Sequence, residues 1–262
     1  MDRIANIFAA RKPLVIFTSV GYPTEEQSEQ AVCAAIEKGA DIIELGVPFS
    51  DPMADGPVIS AASQVAIKEG MTLPKTIAFA ARLRAKYPQT GLILFSYMNP
   101  LLHIGYDAVC QQLADAGVDG ILPVDLPLEE RGELLVPARA HGLHVIPLVS
   151  PLTPEDRIAK IVEGMTGFVY YINVAGVTGA RDTLPPEVAE RIAMIKRHTP
   201  LPVAAGFGIA SAAAAKAAAN AADGVISGSG FVKATAVSPQ AAADFTAELL
   251  SGMGRTVSMH NS

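Results

Sequence analysis

Short apolar segments alternate with segments of helical periodicity along the chain, and that alternation leaves few folds open. Apolar runs bounded by turn residues predict strands over 14–20, 41–46, 91–97, 120–125, 144–149, 167–173, 202–206 and 224–229. Helical spacing predicts helices over 25–38, 59–68, 74–86, 106–116, 128–140, 154–162, 185–197, 211–222 and 239–250. Nearly continuous apolar strands between helices belong to a parallel sheet, covered on both faces or closed on itself. Eight strand–helix units in 262 residues fit one α/β domain, a (β/α)8 or TIM barrel, with an open doubly wound sheet as the alternative. No Pro/Gly/Ser-rich linker or composition break divides the sequence, so a single domain over 1–262 is expected. Ile4, Ile7 and Phe8 have helical spacing and predict a short amphipathic helix within 1–12, which argues against a signal peptide. The last segment, 251–262, reads as a frayed tail.

With 50% apolar and 18% charged residues, the chain suits a soluble protein with a large core, and its longest apolar runs are strand-sized. The formal charge is −6 and no basic block occurs, which argues against nucleic acid and anionic membrane surfaces as partners. An anionic small molecule remains open, because backbone N–H groups bind phosphate without Lys or Arg. Cys33 and Cys110 both fall in helix-like segments and read as reduced core residues of a cytoplasmic protein. His141 and His144 are the closest histidine pair, and no metal-ligand spacing forms around them, so no metal is expected.

In a barrel of this kind, function sits in the loops that leave the C-terminal ends of the strands. Three consecutive exits are glycine-rich: "AGVTGAR" from Ala175, "AGFGIA" from Ala205 and "SGSGFVK" from Ser227. Tight turns of this composition expose backbone N–H groups, and clustering after the last strands is the usual phosphate arrangement of the fold. Ser229 adds a hydroxyl, while Lys233 is as well placed to face solvent. Ordinary turn chemistry would account for any one loop alone.

On the same face lies "IIELGVPFSDPMADGPV", residues 42–58, with Glu44, Asp51 and Asp55 and no Lys or Arg. A carboxyl at an inward strand end is desolvated, and its pKa rises into the range useful for proton transfer. Asp55, in a loop that can fold back over the mouth, would supply a second carboxylate to the same substrate. The plainer alternatives are an ordinary ion pair for Glu44 and turn formation for Asp51 and Asp55. Phe17, Tyr97 and Tyr170 at neighbouring strand ends suit either a pocket wall or the core.

"ELGVPFSDPMADGP" at 44–57 resembles the signature of the tryptophan synthase alpha chain family. "TSVGYP", "YMNP", "VDLPLEE", "YYINVAGVTGAR", "GFGI" and "ISGS" are similar to that family in order and spacing, so the resemblance covers roughly residues 4–250. The resemblance implies a TIM barrel that cleaves indole-3-glycerol phosphate by a retro-aldol reaction, giving indole and glyceraldehyde 3-phosphate. It implies a beta-chain partner in an α2β2 complex, with pyridoxal phosphate in the beta chain and no cofactor in this one. By the same resemblance, Glu44 is the acid–base group and Asp55 the carboxylate facing the indole nitrogen. Gly179, Gly208, Gly228 and Ser229 match the phosphate cradle, and Phe17, Tyr170 and Phe207 the substrate pocket. Pro48, Asp51, Asn99 and Pro127 fall where the partner interface is expected. The sequence departs from the family pattern at Tyr22, Val58, Ser60, Asn173 and Val174, which bears on lid closure and on signalling with the beta chain. A stand-alone lyase, or a weakly catalytic barrel that activates a beta chain, are the competing functions.

Overall fold

Strand alternation resolves into one sheet in the computed structural model of the chain, which describes residues 2–172, 186–206 and 208–256. The strands are β1 (Leu14–Ser19), β2 (Ile42–Gly46), β3 (Gly91–Ser96), β4 (Gly120–Pro123), β5 (His144–Val145), β6 (Leu148–Val149), β7 (Val169–Ile172), β8 (Val203–Gly206) and β9 (Gly224–Ser227). All pair in parallel, in the order β5-β4-β3-β2-β1-β9-β8-β7-β6. The two strands at the ends of that order are halves of the single strand expected over 144–149. Ile146 N–H donates to Ile121 O at 2.8 Å on one side, and Tyr170 N–H donates to Pro147 O at 2.9 Å on the other. The segment thereby closes the sheet into a barrel of eight staves. Its break falls at Pro147, which has no N–H to give to a ladder.

Helices α1 (Arg3–Ala10), α2 (Glu25–Lys38), α3 (Pro57–Lys68), α4 (Leu73–Lys86), α5 (Met98–Ile104), α6 (Tyr106–Asp115), α7 (Gly132–Ala140), α8 (Glu155–Val162), α9 (Pro186–His198), α10 (Ala212–Ala221), α11 (Ser229–Val237) and α12 (Pro239–Gly252) cover the barrel. Thr24, Thr72, Ser211 and Ser238 cap α2, α4, α10 and α12 with side-chain oxygens, as such residues do at helix starts. Gly39 closes α2 at φ +115°, a backbone angle that other residues rarely adopt. Two helices, α5 and α11, were not legible as helices. Each begins at a strand exit and is stabilised from a distance. Met98 N–H at the start of α5 donates to Asp125 Oδ1 at 2.8 Å, and α11 buries Phe231 and Val232.

Strand residues alternate between two cores. Ile43, Leu45, Leu92 and Leu94 face the helices, whereas Val15, Ile42, Ile93, Leu122, Phe168, Tyr170 and Ile226 fill the barrel interior. Ile4, Ile7 and Phe8 of α1 join the interior cluster, and the Phe8 ring lies 5.4 Å from that of Phe168. Helix α1 therefore plugs the N-terminal end of the barrel and leaves the opposite end for chemistry.

The plugged end is also held by a repeated device. Asp41, Asp119 and Asp223 each stand one residue before a strand, and each accepts an N–H from the first or second residue of a neighbouring strand. The donors are Leu14, Leu92 and Val203, at 2.8, 2.9 and 2.9 Å. Arg255, the pair Arg84 and Arg3, and Lys196 supply the counter-charges. Arg255 lies in the stretch expected to fray, yet it bonds Asp41 and the Gly39 carbonyl; residues 257–262 lie outside the described residues.

At the end of α12, a Cβ on Gly252 would lie 2.1 Å from the Ala212 carbonyl oxygen, so the α10 backbone must move to admit one. Gly252→Ala is expected to cost about 2 kcal/mol, read as a lower urea midpoint with an unchanged slope.

Candidate active site

Glu44 shares the inward face of β2 with Ile42, because side chains two apart on a strand point the same way. Its neighbours in register are Phe17 on β1 and Ile93 on β3. The residue is 0% exposed, and among the described residues neither carboxyl oxygen has a hydrogen-bond partner. Among the described residues no positive charge offsets this, and burial pushes the carboxyl up to about 8. Near neutral pH the group is mostly a protonated acid, lodged among apolar side chains.

Asp55 comes from the loop between β2 and α3 and is half-buried. Burial raises its carboxyl to about 6, while the Tyr97 hydroxyl beside it draws the value back down. Tyr170, on the inward face of β7, is buried, and its hydroxyl is pushed well above its ordinary value. Burial is the main cause, and the negative field of Glu44 and Asp55 adds to it. Tyr170 thus lies within the field of both carboxyls at one mouth.

Aromatic rings wall the space around them. Phe17 meets Phe95 edge-on, with centroids 4.9 Å apart. Gly46 allows this: a Cβ there would stand 2.6 Å from Phe17 Cζ. Phe17 also belongs to a small apolar cluster with Ala62 and Val232, against which Tyr22, Val58 and Ile59 pack. Two of the departures from the family pattern, Tyr22 and Val58, therefore both lie on this wall. A third, Ser60, donates its hydroxyl to the Asp55 carbonyl at 3.3 Å.

Across the mouth, Gly228 precedes α11, whose first turn has no side-chain cap. Among the described residues nothing takes the first N–H groups of that helix, with the half-buried Ser229 among them, and the helix dipole favours an anion there. Gly208 adopts φ +66° in the adjacent loop. Ser227 ties the two loops together by donating its buried hydroxyl to Ile209 O at 2.6 Å. Gly179 and Phe207 lie outside the described residues.

Of the expected interface residues, Asp51, Asn99 and Pro127 are exposed on loops or helix starts at the C-terminal end of the barrel, while Pro48 is buried. Sequence reasoning missed three apolar neighbours on the same end: Met53, Leu102 and Leu152, 85%, 56% and 90% exposed. Exposed apolar residues scattered singly are ordinary, so only their grouping on one barrel end carries a signal. Among the described residues, no group of His, Cys, Asp and Glu could hold a metal ion, and no helix is long and apolar enough to cross a membrane. Cys33 and Cys110 are free and buried.

A closed parallel barrel with its ionisable groups gathered at the C-terminal mouth defines a (β/α)8-barrel enzyme. Residues 5–257 match the family model described as tryptophan synthase alpha chain, and the chain belongs to that family. It is 44% identical over 259 residues to the tryptophan synthase alpha chain of Burkholderia mallei, covering 95% of this chain and 96% of the relative. The alpha chain of Chromobacterium violaceum is 45% identical over 236 residues, covering 89% and 90%. Among solved structures, tryptophan synthase from M. tuberculosis in its aminoacrylate-bound form superposes with a TM-score of 0.88 at 32% identity, covering 97% of this chain and 100% of that one. Tryptophan synthase subunit alpha from Legionella pneumophila gives a TM-score of 0.89 at 31% identity, covering 97% and 99%. The family reaction is cleavage of indole-3-glycerol phosphate, which makes the chain a carbon–carbon lyase. Its alpha chains need no cofactor of their own, and pyridoxal phosphate belongs to the beta chain.

Proposed function

We propose that this chain cleaves indole-3-glycerol phosphate to indole and glyceraldehyde 3-phosphate at the mouth built by Glu44, Asp55 and α11, and passes the indole to a tryptophan synthase beta chain. The observation that carries the residue assignment is Glu44, a fully buried carboxyl with no partner among the described residues, at the same mouth as a second, half-buried carboxylate. Protonated Glu44 delivers its proton to indole C3. The ring nitrogen then bears positive charge, which the Asp55 carboxylate offsets. As the C–C bond breaks, its electrons return to the ring, the glycerol hydroxyl becomes the aldehyde, and the hydroxyl proton goes back to Glu44. The acid is regenerated within one turnover.

The phosphate is held by the first N–H groups of α11 and the Ser229 hydroxyl, with Gly208 and Gly228 giving close approach. Phe17 and Tyr170 enclose the indole ring, and Gly179 and Phe207 keep the roles the family pattern assigns. Asp51, Asn99 and Pro127, together with exposed Met53, Leu102 and Leu152, form the face for the beta chain in an α2β2 assembly. Two free cysteines suit a reducing cytoplasm.

The test incubates the chain with indole-3-glycerol phosphate and a beta chain and follows both products. Indole and glyceraldehyde 3-phosphate are expected in equal amounts. Ser229→Asp, which sets a negative charge against the phosphate, is expected to raise KM by about tenfold or more. Failure to form either product would overturn the reading, and an unchanged KM in the variant would remove the phosphate from α11.

A further inference from the structure

The loop that carries Asp55 is held from outside its own strand. Tyr97, where β3 ends, accepts a hydrogen bond at its hydroxyl from Ala54 N–H at 3.0 Å. Its ring stacks on Phe49 of the same loop, with centroids 5.1 Å apart and planes at 29°. The hydroxyl's own proton is left for the carboxylate next to Ala54, which is Asp55. Tyr97 is itself held: it is buried, it immediately precedes α5, and Met98 N–H donates to Asp125 Oδ1 from the β4 exit at 2.8 Å. Three successive strand exits are thus linked, and the middle one grips the Asp55 loop by ring and hydroxyl together.

We infer that Tyr97 is a positioning residue for the lyase reaction, latching the β2–α3 loop through Ala54 N–H and Phe49 so that Asp55, the next residue, is aimed at the substrate. The inference rests on the reading that Asp55 faces the indole nitrogen. Among the described residues, the titratable groups around Asp55 are Tyr97 from the β3 exit, Glu44 from β2 and Tyr170 from β7, with Asp125 from the β4 exit beyond Tyr97. Tyr97 is the neighbour that draws the Asp55 carboxyl down, against the burial that raises it. The Tyr97 hydroxyl is in turn pushed up to about 12, mainly by burial, so it remains a donor throughout the working pH range. A lost neutral donor to a carboxylate both misplaces it and makes it harder to ionise.

Tyr97→Phe keeps the ring and its stack on Phe49 and removes only the hydroxyl. With a beta chain present, kcat/KM for indole-3-glycerol phosphate is expected to fall by about tenfold, and its acid limb to move to higher pH. Thermal unfolding of the variant is recorded alongside. Asp55→Asn is assayed in parallel and is expected to be far less active than Tyr97→Phe. An unmoved acid limb in Tyr97→Phe, with or without a fall in rate, would overturn the inference, because a merely structural role lowers activity without shifting that limb. Such a result beside a disabled Asp55→Asn would overturn this inference alone. Near-normal turnover in Asp55→Asn would overturn both it and the assignment of Asp55.

Discussion

Glu44→Gln is expected to leave the folded chain more stable than the wild type above neutral pH and nearly equal to it in mild acid. The folded-state carboxyl is pushed up to about 8 from an ordinary 4.5, by burial. An acid with a raised folded pKa costs nothing below its unfolded value. As the pH climbs from 4.5 toward 8, the unfolded chain ionises freely while the folded chain must keep the proton, and stability falls through that window. Over the whole window the loss is on the order of 4 kcal/mol. Glutamine removes the titration and keeps the shape. Urea denaturation of both proteins in mild acid and at about pH 8.5 checks this. The two should differ by little in acid and by several kcal/mol in base. Asp55, raised to about 6, leaves a smaller fall in the variant between about 4 and 6. Parallel stability curves across the range would contradict the burial account of Glu44.

The second large effect lies at the other end of the barrel. Asp119 is 8% exposed and accepts from Leu92 N–H, Arg84 and Arg3, at 2.9, 2.8 and 2.8 Å. Arg84 is itself largely covered, and the Gly117, Tyr87, Pro88 and Thr90 carbonyls hold the rest of its guanidinium in place. Deleting the carboxylate leaves a partly buried cation and an unpaired strand N–H, which costs more than losing the attraction alone. Asp119→Ala is expected to lose about 3 kcal/mol, or on the order of 10 °C in Tm for a chain of this size. Asp119→Asn, which keeps an acceptor for Leu92, should lose less. A loss under about 1 kcal/mol in the alanine variant would mark the cluster as an ordinary surface ion pair.

How much of this was legible depended on whether the deciding contacts were local. Strand and helix periodicities gave the barrel, and the α2 boundaries, set by Thr24 and Gly39, were read at 25–38 as observed. Helix α5 was missed because Asp125, which holds its first N–H, lies 27 residues further on. Helix α11 was missed because Ser229 and Gly230 are poor helix formers. Its packing decides instead: a Cβ on Gly230 would stand 2.6 Å from the Phe245 ring of α12. The split of the strand at 144–149 could have been read from Pro147. At the site, the inward direction of Glu44 followed from strand alternation. The grip of Tyr97 on Ala54 did not, since 43 residues separate them and a tyrosine at a strand end reads equally well as a wall. Tyr22 and Val58, read only as departures from the family pattern, both pack against the cluster that holds Phe17.

The most direct test of the central claim, that the buried Glu44 carboxyl carries the proton in this cleavage, is indole release from indole-3-glycerol phosphate with a beta chain present, wild type beside Glu44→Gln. The account predicts a fall in kcat of about a thousandfold, with inhibition by inorganic phosphate unchanged because the α11 cradle is untouched. Near-normal indole release from the glutamine variant would contradict it.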